Sequence, residues 1–201
     1  MVRKERVDID KFNTAPTLPY NLRIEDFQLA MQDIYDFFFD MNSNLRDKNL
    51  RRFEDMSRPA MLSGMISDMM TDALAKHSRS LVPNGFHNGH PDLLVVGKYA
   101  DNKVQAGEYG VEVKSTNKRG GAVDTHGARS QWMCVFVYKI DKTSEPAESR
   151  EPLKFTEVYL AYVEADDFRL NGRNTATGTR TATLDREGVA KLRLGWIYLD
   201  C

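Results

Sequence analysis

Two stretches in the first half of the chain place apolar residues at every third or fourth position, which is the spacing of one face of an α-helix. The first runs from about Ile24 to Met41, and the second begins after Ser57, a suitable N-cap, and Pro59, which a first helical turn tolerates. The pattern predicts two amphipathic helices, and the polar residues 42–55 predict either a broken continuation of the first or a loop. The apolar stripes consist of Phe27, Ala30, Met31, Ile34, Phe37, Phe38 and Met41 in the first helix, and of Met61, Leu62, Met65, Ile66, Met69, Met70, Ala73 and Leu74 in the second.

After His77 the spacing changes, and short runs rich in β-branched and aromatic residues predict strands. Prolines and glycines between Val82 and His90 predict a loop, and residues 128–133 are expected to form either a short helix or the start of a strand. Because helices come first and strands mostly follow, we expect an α/β or α+β protein with one mixed sheet. The predicted strands cover residues 93–96, 109–115, 133–140, 155–163 and 194–199.

The composition is that of an ordinary globular protein, since 41% of the 201 residues are hydrophobic and 28% are charged. This length suits one domain, which is expected to cover residues 21–201. Residues 1–20 are charged and contain Pro16 and Pro19, so they are expected to form an irregular arm. The longest apolar run, from Trp132 to Val137, is far shorter than the roughly 18 residues of a membrane helix, and the charged N-terminus does not resemble a signal peptide. Cys134 and Cys201 are expected to be free thiols, and the chain is expected to be cytoplasmic with no membrane partner.

The net charge of −1 argues against a nonspecific nucleic-acid coat protein but is compatible with local basic surfaces. Basic residues are concentrated from Lys114 to Arg129 and from Arg169 to Arg193. The second stretch contains a segment rich in Thr and Arg, from Asn171 to Thr183, which is expected to be either a DNA-reading loop or a solvated loop at the tip of a hairpin. The candidate DNA contacts are Lys118, Arg119, Arg129, Arg173 and Arg180.

The candidate chemistry lies in two runs, HPDLL at 90–94 and GVEVKS at 110–115. On a strand, Glu112 and Lys114 point to the same face, and the valines next to Glu112 point to the other face, into the core. If the two runs pair as a hairpin, Asp92 falls opposite or nearly opposite Glu112, because cross-strand neighbours lie about 5 Å apart. The pattern therefore predicts two carboxylates and one ammonium on one small patch.

This patch suits metal-dependent phosphodiester chemistry. Two carboxylates are hard oxygen ligands that suit Mg²⁺, and the backbone carbonyl of Val113 is a further candidate ligand. A metal ion there would stabilise charge on a phosphate and lower the pKa of a bound water. Lys114 is expected to position or deprotonate that water or to offset phosphate charge. His126 is a candidate contact for the phosphate or the water, with a surface or hydrogen-bonding role as its alternative.

Pro-Asp at 91–92 followed by Glu-Val-Lys at 112–114 resembles the signature of the PD-(D/E)xK nuclease superfamily, and the 20-residue separation from Asp92 to Glu112 suits it. The resemblance covers about residues 57–140 and implies a restriction-endonuclease-like mixed central sheet flanked by helices, with a helix before the motif and a helix–strand unit after it. It implies catalysis by Asp92, Glu112 and Lys114, with Mg²⁺ as cofactor and Mn²⁺ as a substitute. It also implies double-stranded DNA as substrate and a homodimer, most like a type II restriction endonuclease. Family members often carry an acidic residue on the first helix, for which Asp68 is the best match and Asp72 the second, and Gln131 matches a polar residue after the Lys strand.

Several other readings stay open. A structure-specific repair nuclease or junction resolvase of the same fold is the nearest, followed by a non-catalytic nucleic-acid-binding module and an enzyme acting on another phosphodiester. His87 and His90 have a spacing that suits a metal, but no nearby ligand completes a site, so a loop role is expected for both. No phosphate-binding Gly-x-x-x-x-Gly-Lys-Ser/Thr loop is present, so no NTP is expected, and no Gly-x-Ser-x-Gly elbow supports a serine hydrolase.

Overall fold

A six-stranded mixed sheet forms the centre of the structure, a computed structural model that describes residues 2–172 and 181–200. Across the sheet the strand order is first, second, third, fifth, sixth and ninth; the third and fifth strands are parallel, and all other neighbours are antiparallel. The predicted fold class is confirmed, because this α+β protein has a mixed sheet flanked by helices. The strands are β1 (Leu81–Pro83), β2 (Leu93–Val95), β3 (Gly110–Thr116), β4 (Asp124–Thr125), β5 (Gln131–Lys139), β6 (Lys154–Val163), β7 (Phe168–Leu170), β8 (Ala182–Leu184) and β9 (Trp196–Leu199).

One face of the sheet packs against two long helices, whose existence the apolar spacing predicted. Their buried side chains form one core cluster with Val111 and Val113 of β3 and with Phe136 of β5. Among the described residues no helix is long and apolar enough to cross a membrane. The helices of the chain are α1 (Ile24–Asp47), α2 (Phe53–Met56), α3 (Pro59–His77) and α4 (Arg186–Leu194).

The first helix continues past Met41 to Asp47 and is followed by the short α2, so the broken continuation, one of the two sequence alternatives, is confirmed. The buried side chain of Asn42 binds both Glu54 and the backbone N–H of Phe53. Pro59 opens α3 as predicted, but Ser57 does not cap it, because its hydroxyl donates to the carbonyl of Phe53 instead. Met61, which was expected in the apolar stripe, is half exposed.

The other face of the large sheet is covered by a second, three-stranded sheet in the order β4–β8–β7 and by α4. Leu184 of β8 and Leu192 of α4 pack there against Met133 and Val135 of β5. The expectation of a single sheet was therefore wrong, and Leu194, expected in the last strand, is the exposed last residue of α4. Strands of two or three residues are too short to show an alternating pattern.

The segment between β3 and β5 contains no helix, so the helix of the implied helix–strand unit is absent from residues 117–130, which the structure describes in full. Gly120 and Gly121 both have positive φ values, a conformation that interrupts a right-handed helix. A Cβ atom on Gly121 would press on Tyr159 and Leu192, so the segment lies directly against β6 and α4. Residues 128–130 form no helix and lead directly into β5, which agrees with the second of the two sequence alternatives, the start of a strand.

The N-terminal arm is irregular, as expected, but it is docked on the domain. Phe12 is buried with its ring 4.8 Å from that of Tyr198, and Asn13 N–H donates to the carbonyl of Ile197. The arm therefore covers the β9 edge of the large sheet. Short 3₁₀ turns occur at Ile9–Lys11, Pro19–Asn21, Ala100–Asn102, Ala147–Ser149 and Ala165–Asp167.

Gly110 controls how closely β2 and β3 approach each other, so Gly110→Ala is expected to destabilise the protein by about 1–3 kcal/mol. A Cβ atom at this position would fall on the carbonyl oxygen of Leu93 and 2.6 Å from Cγ of Pro91, and the backbone of β2 cannot rotate away as a side chain can. Urea denaturation measures the change. Gly64→Ala is the matched control, because α3 leaves open space there and alanine favours a helix by roughly 0.5–1 kcal/mol. Equal stabilities for Gly110→Ala and the wild type would contradict this packing.

Candidate active site

The pairing of β2 with β3 brings the three motif residues together. Leu93 pairs with Val111, so Asp92, one position before Leu93, lies next to Glu112, as the sequence predicted. Glu112 and Lys114 share one face of β3, and the valines between and before them lie in the helix-side core. The two charged residues therefore lie on the face that carries the second sheet.

Three oxygen atoms surround the ammonium of Lys114. Its Nζ lies 2.5 Å from Oε1 of Glu112, 3.1 Å from Oδ2 of Asp92 and 3.1 Å from the backbone carbonyl oxygen of Val113. The Asp92 carboxylate is held in place because its Oδ2 also accepts the backbone N–H of Val113 at 2.8 Å. The cluster thus consists of three oxygen atoms that all contact one cationic group.

Glu112 is the most deeply buried member of the cluster, with 2% of its surface exposed. Its second oxygen, Oε2, lies 3.3 Å from Nδ1 of His90. Burial alone would raise the pKa of Glu112, but the hydrogen bond from His90 and the charge of Lys114 outweigh it and hold the pKa at about 2. Glu112 is therefore ionised at neutral pH.

The other two charges respond to the same burial in different ways. Burial raises the pKa of Asp92, and the neighbouring charge of Glu112 adds to this effect, which Lys114 only partly offsets. Burial by itself would lower the pKa of Lys114, but the two carboxylates raise it above its usual value. Lys114 therefore stays protonated in this arrangement, which favours hydrogen-bond donation and charge neutralisation over proton abstraction from a water.

The donor set fits a divalent cation of the Mg²⁺ type. The oxygens of Asp92, Glu112 and Val113 are hard ligands and already converge on a positive group, the ammonium of Lys114, which stands in for a cation. Among residues 2–172 and 181–200 no group of three or more His, Cys, Asp and Glu side chains is arranged to hold a metal ion. A metal here would accordingly be held by two carboxylates and a carbonyl, which suits an ion that keeps several waters.

The acidic candidates on α3 are not brought to the cluster. Asp68 and Asp72 are both exposed, and neither forms an ion pair with the three motif residues within the described part of the chain. α3 meets the opposite face of β3, where Ser115 donates its N–H to Oγ of Ser67 and its hydroxyl to the carbonyl of Ser63. Two small serines allow this close approach of helix and strand.

Gln131 lies on the sheet face of Glu112, and His126 lies beside His90. Gln131 is buried at the start of β5 and shares the sheet face of Glu112, since Met133, two residues further on, pairs with Glu112. The ring of His126 is exposed, and its centroid lies 6.5 Å from that of His90. Arg129 fixes the loop of His126 by donating to its carbonyl at 2.6 Å.

Apart from Arg129, the candidate DNA contacts fall into two groups. Lys118 and Arg119 are exposed in the loop that follows β3, and Arg119 forms a long ion pair with buried Glu157 at 3.5 Å. Arg173 and Arg180 lie outside the described residues.

His90 was expected to have only a loop role, but in the structure its ring contacts Glu112. Its ring is mostly buried and contacts the oxygen that Lys114 does not. The only sequence signal was its position directly before Pro91 and Asp92, because the contact depends on how the loop folds back on β3.

Comparisons of the chain with protein-family models, with curated proteins and with solved structures found no match. The arrangement of Asp92, Glu112 and Lys114 is therefore the basis for any functional assignment.

Proposed function

We propose that this protein is an Mg²⁺-dependent endodeoxyribonuclease that hydrolyses phosphodiester bonds in double-stranded DNA, with Asp92, Glu112 and Lys114 as its catalytic residues. The observation that carries the proposal is the convergence of two carboxylates and a backbone carbonyl on one cationic group. The resemblance of the motif to that of PD-(D/E)xK nucleases supports the same activity, and the restriction-endonuclease-like fold that this resemblance implies is part of the proposal. Mn²⁺ is expected to substitute for Mg²⁺.

Each residue has a distinct role in this proposal. Asp92, Glu112 and the carbonyl of Val113 hold the ion, which when bound supplies charge stabilisation at the phosphate and a water of lowered pKa. Lys114 donates hydrogen bonds and neutralises negative charge as the phosphate is attacked. Partial burial of the cluster strengthens these interactions, because the surrounding dielectric is lower than that of water.

In this proposal the DNA backbone runs along β3, past the catalytic residues. Lys118 and Arg119 follow the catalytic strand, and Arg129 precedes β5, so basic side chains lie on both sides of the motif. These residues are proposed phosphate contacts that position DNA without reading its sequence. One site cuts one strand, so double-strand cleavage requires a homodimer or two successive nicks.

The test is cleavage of mixed-sequence plasmid and phage DNA, both methylated and unmethylated, with Mg²⁺ and with the metal removed by chelation. Discrete fragments that vanish without metal and in Asp92→Asn are the expected result, and they indicate a restriction-type endonuclease. Asn keeps the shape of Asp92 and removes its charge, so loss of cleavage reports on the carboxylate. Cleavage that persists in this variant would overturn the catalytic assignment.

Other outcomes distinguish the rival readings. Nicks or a smear that depend equally on metal and on Asp92 would indicate a repair nuclease or junction resolvase, and branched DNA should then be the better substrate. DNA binding without cleavage and without Mg²⁺ binding, measured by calorimetry, would indicate a binding module.

A further inference from the structure

The two oxygens of the Glu112 carboxylate have different partners. Oε1 lies 2.5 Å from the ammonium of Lys114, on the side of Asp92, and Oε2 lies 3.3 Å from Nδ1 of His90. His90 is therefore the partner of the Glu112 oxygen that Lys114 does not contact. A carboxylate that is hydrogen-bonded at one oxygen rotates little, so the contact at Oε2 sets the direction of Oε1.

The backbone on both sides of the His90 ring is itself fixed. The N–H of His90 donates to the carbonyl of Gln105 at 3.0 Å, and its carbonyl accepts the N–H of Gly107 at 2.7 Å. The side chain of Asn84 adds a second clamp, because its amide donates to the carbonyls of Pro91 and Val104. The backbone position of His90 is thus fixed by contacts that do not involve Glu112.

The neighbouring glycine confirms how tightly this loop is packed. A Cβ atom on Gly89 would lie 2.5 Å from Nδ2 of Asn84 and would strike the carbonyl of Val104. The loop before Asp92 is therefore closely packed. It places both His90 and Asp92 beside Glu112.

We propose that His90 is a positioning residue for the divalent-cation site: it holds Oε2 of Glu112 so that Oε1 faces the point shared with Oδ2 of Asp92 and the carbonyl of Val113. This inference rests on the proposed function, since it concerns the same site. In this proposal His90 acts through Glu112, whose Oε2 its Nδ1 contacts, and not as a ligand of the ion. Residues that orient metal ligands in this way typically change metal affinity by about 10–100-fold when they are replaced.

The test uses a pair of substitutions that differ in where they place an amide donor. In His90→Asn the amide nitrogen is attached at the same position as Nδ1, whereas in His90→Gln it lies near the position of Nε2. His90→Asn is expected to retain Mg²⁺ affinity within about threefold, and His90→Ala and His90→Gln are expected to lose about 10–100-fold. The affinity is measured by calorimetry with Mg²⁺ alone, without DNA, so the readout does not depend on cleavage.

His87→Ala is the matched control, because His87 lies exposed in the same loop and should leave Mg²⁺ affinity unchanged. Thermal unfolding of each variant checks that the loop still folds, and a loss of affinity by His90→Gln at unchanged stability separates positioning from a structural role. Equal Mg²⁺ affinity in the wild type and all His90 variants would overturn this inference while leaving the nuclease proposal intact. A wild type that binds no Mg²⁺ would overturn both.

Discussion

Replacement of Lys114 by methionine is expected to lower the free energy of unfolding of the metal-free protein by about 3–5 kcal/mol. Methionine keeps much of the apolar stem but removes the charge that balances Asp92 and Glu112, whose carboxylates are then left side by side and largely buried. Like charges that cannot be solvated repel each other and carry an uncompensated desolvation cost. Chemical denaturation in buffer containing a chelator measures the loss.

Mg²⁺ should then stabilise Lys114→Met more than it stabilises the wild type, because the ion meets no competing ammonium in the variant. Lys191→Met is the control: the Nζ of Lys191 also contacts two carboxylates, Glu164 and Asp167 at 2.7 and 2.9 Å, but Lys191 and Glu164 are exposed to solvent. A much smaller loss and no response to Mg²⁺ are expected there, since exposed ion pairs contribute little. If both lysine variants lose the same stability, the charge balance at the candidate site is not as described.

Glu112→Gln is expected to lower kcat/KM for Mg²⁺-dependent DNA cleavage by on the order of 10³-fold. A bound metal ion stabilises the transition state by several kcal/mol, and this stabilisation requires the carboxylates that hold the ion. The amide is nearly the same size as the carboxylate, and Lys114 keeps its contact with Asp92. Stability should therefore fall less than in Lys114→Met. Initial rates of supercoiled plasmid cleavage give the activity, and denaturation of the same sample gives the stability.

Glu108→Gln provides the comparison for this prediction. Glu108 lies exposed two positions before β3, and its contact with Tyr99 is made by its backbone N–H, which the substitution does not touch. Its cleavage rate should equal that of the wild type. If Glu112→Gln cleaves within tenfold of the wild type, Glu112 does not hold the metal during the reaction.

The long elements were predictable because their patterns repeat several times. α1 and α3 each bury one face over many turns, so their apolar spacing is visible without any knowledge of partners. The strands β3 and β6 were equally clear, because each spans seven or more residues. In contrast, α4 was missed, although Asp185 caps it and Val189 and Leu192 lie at helical spacing. No element was predicted for residues 186–193, and Leu194 was assigned to the last strand.

The placement of the acidic residues on α3 depended on long-range packing. A sequence shows that Asp68 and Asp72 lie on a helix but not which side of β3 that helix covers. Contacts of Ser63 and Ser67 with Ser115 set the helix against the face opposite Glu112, and this excludes Asp68 from direct contact with the cluster in the described arrangement.

The sequence by itself determined the helices and strands with clear periodicity and the shared face of Glu112 and Lys114, because strand alternation is a local property of the backbone. It also predicted that Asp92 would lie beside Glu112, since two neighbouring strands joined by one loop pair readily. Only the tertiary structure decided the second sheet, the side of the sheet that α3 occupies and the contact of His90 with Glu112. These features depend on how distant segments pack, which no local pattern of apolar and polar residues records.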